Sequence, residues 1–236
     1  MSERAAEGLP IAAPARVEPF GDAAVLVTLG EEIDRATNQR LHAVARYLDA
    51  MPDAGKRIAF GTAVPAYASL LIPFDAHRAS AHDVTEYILE LIDDHDLDCG
   101  VPDLTSRLVE IRVHYAGSDG PDLLDVAERT GLTPEQVVEA HGAVDYTCFF
   151  LGFSPGFSYL GVLPPELELS RREEPRTRVP AGSVAVAGRQ TAVYPSATPG
   201  GWHLIGRTEA ELWDVQREPP ALLAPGDRVR FVPIDA

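Results

Sequence analysis

The amino-acid sequence predicts an α+β protein in two parts: a small N-terminal α/β sandwich, residues 17–105, then a small antiparallel β-barrel or sandwich, residues 106–236. Three observations carry this expectation. Residues 17–105 alternate between strand-like and helix-like apolar spacing, the pattern of a layered α/β unit. Beyond His141 every apolar run is short and fenced by Gly or Pro, the pattern of an all-β unit. The 20 prolines favour turns, edges and corners over long helices.

Residues 1–16 contain Ala and Pro but also Glu3 and Glu7, lack the apolar core of a signal peptide, and are expected to form a flexible tail. Arg16 to Gly30 reads as two strands about Gly21-Asp22, the second carrying the apolar run Ala24 to Leu29. From about Ile33 to Met51, Leu41, Val44, Ala45 and Leu48 fall at helical spacing, and Pro52 stops the run. Ala66 to Phe74 reads as a strand. Ser80-Ala81-His82-Asp83 has the form of a capping box with Asp in place of Glu, ahead of the stripe Val84, Ile88, Leu91 and Ile92. Arg107 to Tyr115 is expected to close this layer as a further strand, with the domain boundary near Pro102 to Ser106.

Two short helices open the second part: Pro121 to Thr130, ended by Gly131, and Pro134 to His141 behind the capping box Thr133-x-x-Gln136. The strands expected afterwards are Tyr146 to Phe153, Ser183 to Ala187, Thr191 to Tyr194, Trp202 to Arg207 and Arg228 to Val232.

Charge and composition exclude several functions. The formal net charge of −16 repels phosphate polyanions and anionic lipid, so neither nucleic acid nor a membrane surface is an expected partner. The single lysine, Lys56, lies between Gly55 and Arg57, which rules out a phosphate-binding loop of the G-x-x-x-x-G-K type. Two cysteines, Cys99 and Cys148, make no disulfide framework, and no apolar run reaches the roughly 18–20 residues that span a bilayer, so the expected compartment is the cytoplasm. The seven histidines show no metal-ligand spacing, and no metal is expected.

Two motifs fail on their chemistry. Ala127 to Val137 has the outline of a helix-turn-helix, but its second helix carries Glu135 and Glu139 and no basic residue. Gly152-Phe153-Ser154-Pro155-Gly156 matches G-x-S-x-G, yet Pro155 has no N–H to donate where a nucleophile elbow needs one for its oxyanion, and no helix pattern follows.

The arginines are more informative. Arg171 and Arg172 read as surface partners of Glu168, Glu173 and Glu174, whereas Arg176 and Arg178 sit between Pro175 and Pro180, where an extended backbone puts both guanidiniums on one side. A stiff arginine pair suits a carboxylate or phosphate. Gln190 to Pro195, running into Pro199-Gly200-Gly201-Trp202, adds amide, hydroxyl and phenol groups. Gly200 and Gly201 read either as an anion nest or as a hairpin turn that needs positive φ.

Four segments then resemble the family of 5-oxoprolinase B subunits, which also takes in KipI and parts of allophanate hydrolase and urea carboxylase: Gly152-Phe153-x-Pro155-Gly156-Phe157-x-Tyr159-Leu160-Gly161, Pro175 to Val184, Ala187-Gly188-x-Gln190-Thr191-x-x-Tyr194-Pro195, and Pro199 to Thr208. Gly21-Asp22, Val64 to Leu71, Gly120 to Leu123 and Pro225 to Phe231 extend the likeness over nearly all of the chain beyond its tail. The resemblance implies a cyclophilin-like β-barrel after the N-terminal domain. It also implies work within a 5-oxoprolinase complex, beside the C and A subunits, that uses ATP, bound with or by a partner, to open 5-oxo-L-proline to L-glutamate. Residue type and position suggest substrate contacts from Arg176, Arg178, Gln190, Tyr194, Gly200 and Gly201, and an apolar partner-docking edge at Phe153, Pro155, Gly156, Phe157 and Tyr159. Two alternatives stay open at this point: an inhibitor of a sensor histidine kinase, like KipI, and a carboxyl-transfer module of the allophanate or urea type. Ser154 and Ser158 stand where relatives often carry other small or hydrophobic residues, which makes the rim of that turn more polar.

Overall fold

The computed structural model describes residues 15–51, 58–93, 107–115 and 117–234. The expected tail up to residue 14, the Pro52 helix stop, Cys99 and the boundary segment Pro102 to Ser106 lie outside them. The chain divides into two compact units, Met1–Val101 and Pro102–Ala236.

In the first unit β1 (Arg16–Pro19), β2 (Ala24–Thr28), β3 (Val64–Pro65) and β4 (Ser69–Pro73) form an antiparallel sheet in the order β1-β2-β4-β3. Helices α1 (Arg35–Ala50) and α2 (Ala81–Asp93) pack their apolar stripes on it, enclosing Val25, Val27, Leu41, Val44, Leu70, Ile72, Val84 and Ile88. Local chemistry sets where each helix begins. Asp34 accepts the Thr37 N–H at 2.6 Å, and the Ser80 Oγ accepts the Asp83 N–H at 3.2 Å while Asp83 accepts the Ser80 N–H at 3.1 Å. Asp therefore serves in the capping box as the sequence predicts.

The second unit is built on seven strands: β5 (Leu108–Tyr115), β6 (Asp145–Leu151), β7 (Ser158–Gly161), β9 (Ser183–Ala187), β10 (Gln190–Val193), β12 (His203–Arg207) and β13 (Arg228–Pro233). They close into a barrel in the order β10-β7-β6-β13-β5-β12-β9. Two expectations are corrected. The strand at Arg107 to Tyr115 belongs to the barrel, not to the first layer, because its partners are β12 and β13. The barrel is mixed, not purely antiparallel, since β13 lies between β5 and β6 and runs parallel to β5 from Arg228↔Leu108 to Pro233↔Val113. In this unit three short strands escaped the sequence reading: β7, and the two-stranded ribbon of β8 (Arg176–Val179) and β11 (Thr198–Gly200).

Helices α3 (Leu123–Thr130) and α4 (Pro134–Gly142) form as expected, with Gly131 left-handed at φ 71° and the Thr133–Gln136 capping box complete. The second helix is built into the barrel. Its His141 is fully buried, with Nδ1 2.8 Å from the Tyr115 hydroxyl, Nε2 2.9 Å from Thr191 Oγ1, and its ring stacked on Phe231 at 4.5 Å. Thr191 donates to the Ala185 carbonyl at 3.1 Å, so it accepts from Nε2–H, and Nδ1 accepts from Tyr115. Burial pushes the imidazole down to about 3, which keeps it neutral.

Strand β9 shows how the barrel wall is used. All five residues of Ser183–Ala187 are buried, because Val184 and Val186 join the barrel core while Ala185 and Ala187 join a second apolar cluster on the outer face. The ribbon lies over that outer face and contributes Val179 to the cluster.

Candidate functional site

The outer face of the barrel wall gathers most of the residues singled out from sequence. Thr191 points inward, so alternation turns Gln190 and Ala192 outward, and Tyr194 follows on the same side. On the neighbouring strand Leu160 is inside and Tyr159 outside. Around this alanine-floored patch stand Phe157, 5.3 Å from Tyr194 and 5.9 Å from Trp202 between ring centroids, and Tyr159, 6.2 Å from Trp202. The pairs meet edge to face, the geometry that aromatic quadrupoles favour.

Gly200 has a different purpose from either reading made of it. Neither Gly200 nor Gly201 has positive φ. A Cβ on Gly200 would lie 2.3 Å from the Tyr194 hydroxyl, so glycine is required there because the phenol occupies the space of a side chain. Burial raises the Tyr194 pKa, opposed in part by the Arg171 charge and by a hydrogen bond with the Trp202 backbone.

At the edge of the patch the chain turns sharply. The Ser154 N–H donates to the Gly152 carbonyl at 2.7 Å across Phe153, whose φ is 66°. A bulky residue held left-handed in a three-residue turn is strained, and here that strain displays a phenyl ring 61% exposed. Of the expected docking edge, Phe153 and Pro155 reach solvent, Tyr159 is half-buried, and Gly156 and Phe157 are buried. Gly156 is locked there: a Cβ would stand 2.8 Å from Trp213 Cβ and 2.9 Å from the Leu212 carbonyl. Ser154 Oγ is buried without a hydrogen-bond partner, so no base activates it.

Strand β8 is extended, so Arg176 and Arg178 share one face of the ribbon, but the two are not both left available to an anion. Arg176 is spent on a buried carboxylate: its NH1 and NH2 reach the Asp122 oxygens at 2.8 and 2.7 Å. Arg172 adds a third contact at 2.9 Å and the Leu204 N–H a fourth at 2.7 Å. Burial works to raise the Asp122 pKa, but the Arg176 hydrogen bond, the Leu204 N–H and the two guanidinium charges outweigh it and hold the carboxyl below its usual range. Arg178 is exposed, on the side of the ribbon opposite Val179 and therefore away from the aromatic patch. Arg172 thus pairs with Asp122, not with a neighbouring glutamate. Arg171 extends over Trp202, its guanidinium carbon 6.0 Å from the ring centroid.

Sequence reasoning missed Asp122 and the position of Arg171. Asp122 lies 50 and 54 residues from its arginines, a separation at which no local pattern reports a contact. Among the described residues no group of three or more His, Cys, Asp or Glu is placed to hold a metal, and no helix is long and apolar enough to cross a membrane.

Comparison with known proteins agrees with this architecture. The sequence pattern of the carboxyltransferase domain, subdomain C and D, matches residues 15–223. The chain is 42% identical to a 5-oxoprolinase B subunit of Escherichia coli O157:H7, covering 93% of this chain and 96% of that protein. It is 39% identical to a 5-oxoprolinase B subunit of Bacillus subtilis (strain 168), covering 93% and 92%. The crystal structure of TTHA0988 superposes with a TM-score of 0.73 at 40% identity over 91% of this chain and 40% of that one. With a matching pattern over most of its length and relatives matched nearly end to end, the chain belongs to the family of 5-oxoprolinase B subunits, within the carboxyltransferase domains of subdomain C and D type.

Proposed function

We infer that the chain is the B subunit of an ATP-dependent 5-oxoprolinase complex, helping to open 5-oxo-L-proline to L-glutamate at a site shared with A and C subunits in the cytoplasm. The observation that carries this reading is the 42% identity to a 5-oxoprolinase B subunit over 96% of that protein's length. The barrel, in this reading of the cyclophilin-like kind, supplies a wall and not a complete catalytic centre. Its outer face offers the half-buried Tyr159 ring, the Gln190 carboxamide and the Arg171 cation, while the Ser154 Oγ at its edge has no hydrogen-bond partner and so no base.

A lactam resists attack by water because its carbonyl is a poor electrophile, and ATP supplies the phosphoryl group that makes the lactam oxygen a leaving group. The sequence holds no phosphate loop of the lysine type, and among the described residues Arg176 is already neutralised by Asp122. In this reading ATP is bound with or by a partner subunit. What this chain does is bind and orient. The part-exposed Tyr159, backed by the buried Phe157, Tyr194 and Trp202, shields one side of the substrate ring from water, and Gln190 presents hydrogen-bonding groups from the same face. Phe153 and Pro155, exposed at its edge, are the docking edge for a partner subunit.

The test is 5-oxoproline-dependent ATP hydrolysis and glutamate release by this chain assembled with A- and C-like subunits, against the same mixture without it. Activity that requires this chain is the expected result. Activity independent of it, or no stable association, overturns the reading.

A further inference from the structure

One cation in the arginine-rich segment is held in place yet left without a counter-charge. The segment 169–172 is a strap fastened to the barrel on both sides of Arg171. Leu169 accepts the Gly188 N–H at 2.6 Å, Ser170 presents its carbonyl to His203 Nε2 at 2.9 Å, and the Arg172 N–H donates to the Gly201 carbonyl at 2.8 Å. The Arg172 guanidinium is tied to Asp122 as well. With both neighbours pinned, the Arg171 backbone has little freedom, and its side chain extends over Trp202.

The Arg171 guanidinium has no hydrogen bond and no ion pair among the described residues, although Glu168, Glu173 and Glu174 are close in sequence. Its charge nevertheless acts on the patch, lowering the pKa values of Tyr159 and Tyr194 against the effect of their burial. The strap begins at Gly188, two residues from Gln190, whose side-chain amide is also without a partner among the described residues. Thr198, paired with Val179 and so on the same side of the ribbon, keeps a buried Oγ1 with no hydrogen bond. Unpaired polar groups thus collect around one aromatic cluster, in which Phe157, Tyr194 and Trp202 are buried, Tyr159 and Gln190 are part-exposed, and Arg171 places a single fixed positive charge at the exposed edge.

We propose that Arg171 binds the carboxylate of the cyclic amino acid, holding the lactam ring against the part-exposed Tyr159 and Gln190 at the edge of the buried aromatic cluster. This rests on the function inferred above and names the residue that selects a carboxylated lactam. A guanidinium presents two parallel N–H donors to a carboxylate, and a backbone anchored on both sides costs little further order on binding. The interaction is with a group remote from the reacting amide, so it governs substrate capture more than the chemical step.

The experiment uses the assembled complex and compares Arg171→Ala and Arg171→Lys with the wild type. Arg171→Ala is expected to raise KM for 5-oxoproline about 10–100-fold with a much smaller change in kcat, and Arg171→Lys to fall between. The inhibition constant of 2-pyrrolidinone, the same lactam without a carboxylate, is expected to be unchanged by either substitution. An unchanged KM overturns the proposal. So does a parallel loss of 2-pyrrolidinone affinity, which would make Arg171 a support of the wall, or weakened assembly at constant KM, which would give it a partner's carboxylate. Should the wild-type complex prove inactive on 5-oxoproline, tryptophan fluorescence of the chain decides separately. Quenching by 5-oxoproline that is absent in Arg171→Ala and absent with 2-pyrrolidinone supports the site, and no difference between the proteins removes it.

Discussion

The two faces of the β9–β10 wall are equally buried and oppositely finished. Inside the barrel the polar groups form a closed chain, Tyr115 to His141 to Thr191 to the Ala185 carbonyl, in which each donor has its acceptor. Outside, the exposed Arg171 guanidinium and the part-exposed Gln190 amide stand at the edge of the aromatic cluster without partners among the described residues. A satisfied polar chain in a core specifies the fold, whereas unsatisfied groups at a surface are available to a ligand. The seam between the two is Asp122, whose carboxylate fastens the arginine-bearing strap and ribbon to the barrel.

That division can be tested by asking which changes cost stability and which cost only activity. The largest effect is expected at the seam. Asp122→Ala leaves Arg172 and Arg176 without their carboxylate and should destabilise the protein by about 3–5 kcal/mol, read by denaturant unfolding. Because the folded Asp122 pKa is lowered, its contribution is present at pH values above the ordinary carboxylate range and fades as pH falls through the folded pKa; Asp122→Asn should remove that acid-dependent portion.

Next comes the interior. His141 stays neutral down to about 3 when folded, while an unfolded histidine takes up its proton below about 6.5. Stability should therefore fall as pH drops from that value, by about 2 kcal/mol on reaching pH 5, where most carboxylates are still ionised. A flat stability profile between pH 7 and pH 5 would mean that the core chain is open to water.

On the outer face the expected costs are smaller. Gly200→Ala drives a methyl group into the Tyr194 hydroxyl and should cost about 1–2 kcal/mol, part of which Tyr194→Phe in the same protein should restore. Recovery would place the constraint on the hydroxyl and not on the glycine backbone. Ser154→Ala should change neither melting temperature nor turnover measurably, since the Oγ it removes has no partner. A loss of turnover by several orders of magnitude would return Ser154 to the catalytic residues.

Helices and core strands were legible because their signals are local. The Thr133 and Ser80 capping boxes and the stripe of α2 each lie within one short window, and β9 stands out as a continuous apolar run buried on both faces. The parallel pairing of β13 with β5 was not, since it joins residues 120 positions apart and leaves no mark in either segment. The ribbon was hidden by its brevity and its prolines. Of the residues singled out, Tyr194, Gly200, Phe157 and Tyr159 meet around one cluster, and Gln190 faces the same side of the barrel wall. The tie of Arg172 and Arg176 to Asp122 was not legible, because neutralisation by a distant aspartate leaves no mark in local spacing.

The place of β13 also bears on how the barrel comes together in time. Strands β5 and β6 are near in sequence but never pair; the gap between them is filled by a segment made more than 75 residues after β6 ends. Until Arg228–Pro233 is available, the wall has two open edges and Val229 and Phe231 are missing from its core. A closure that waits on so long a loop makes for a slow last step, during which exposed strand edges invite pairing with other chains. Slow closure after synthesis, with sensitivity to crowding by unfinished copies, is the folding behaviour this topology dictates.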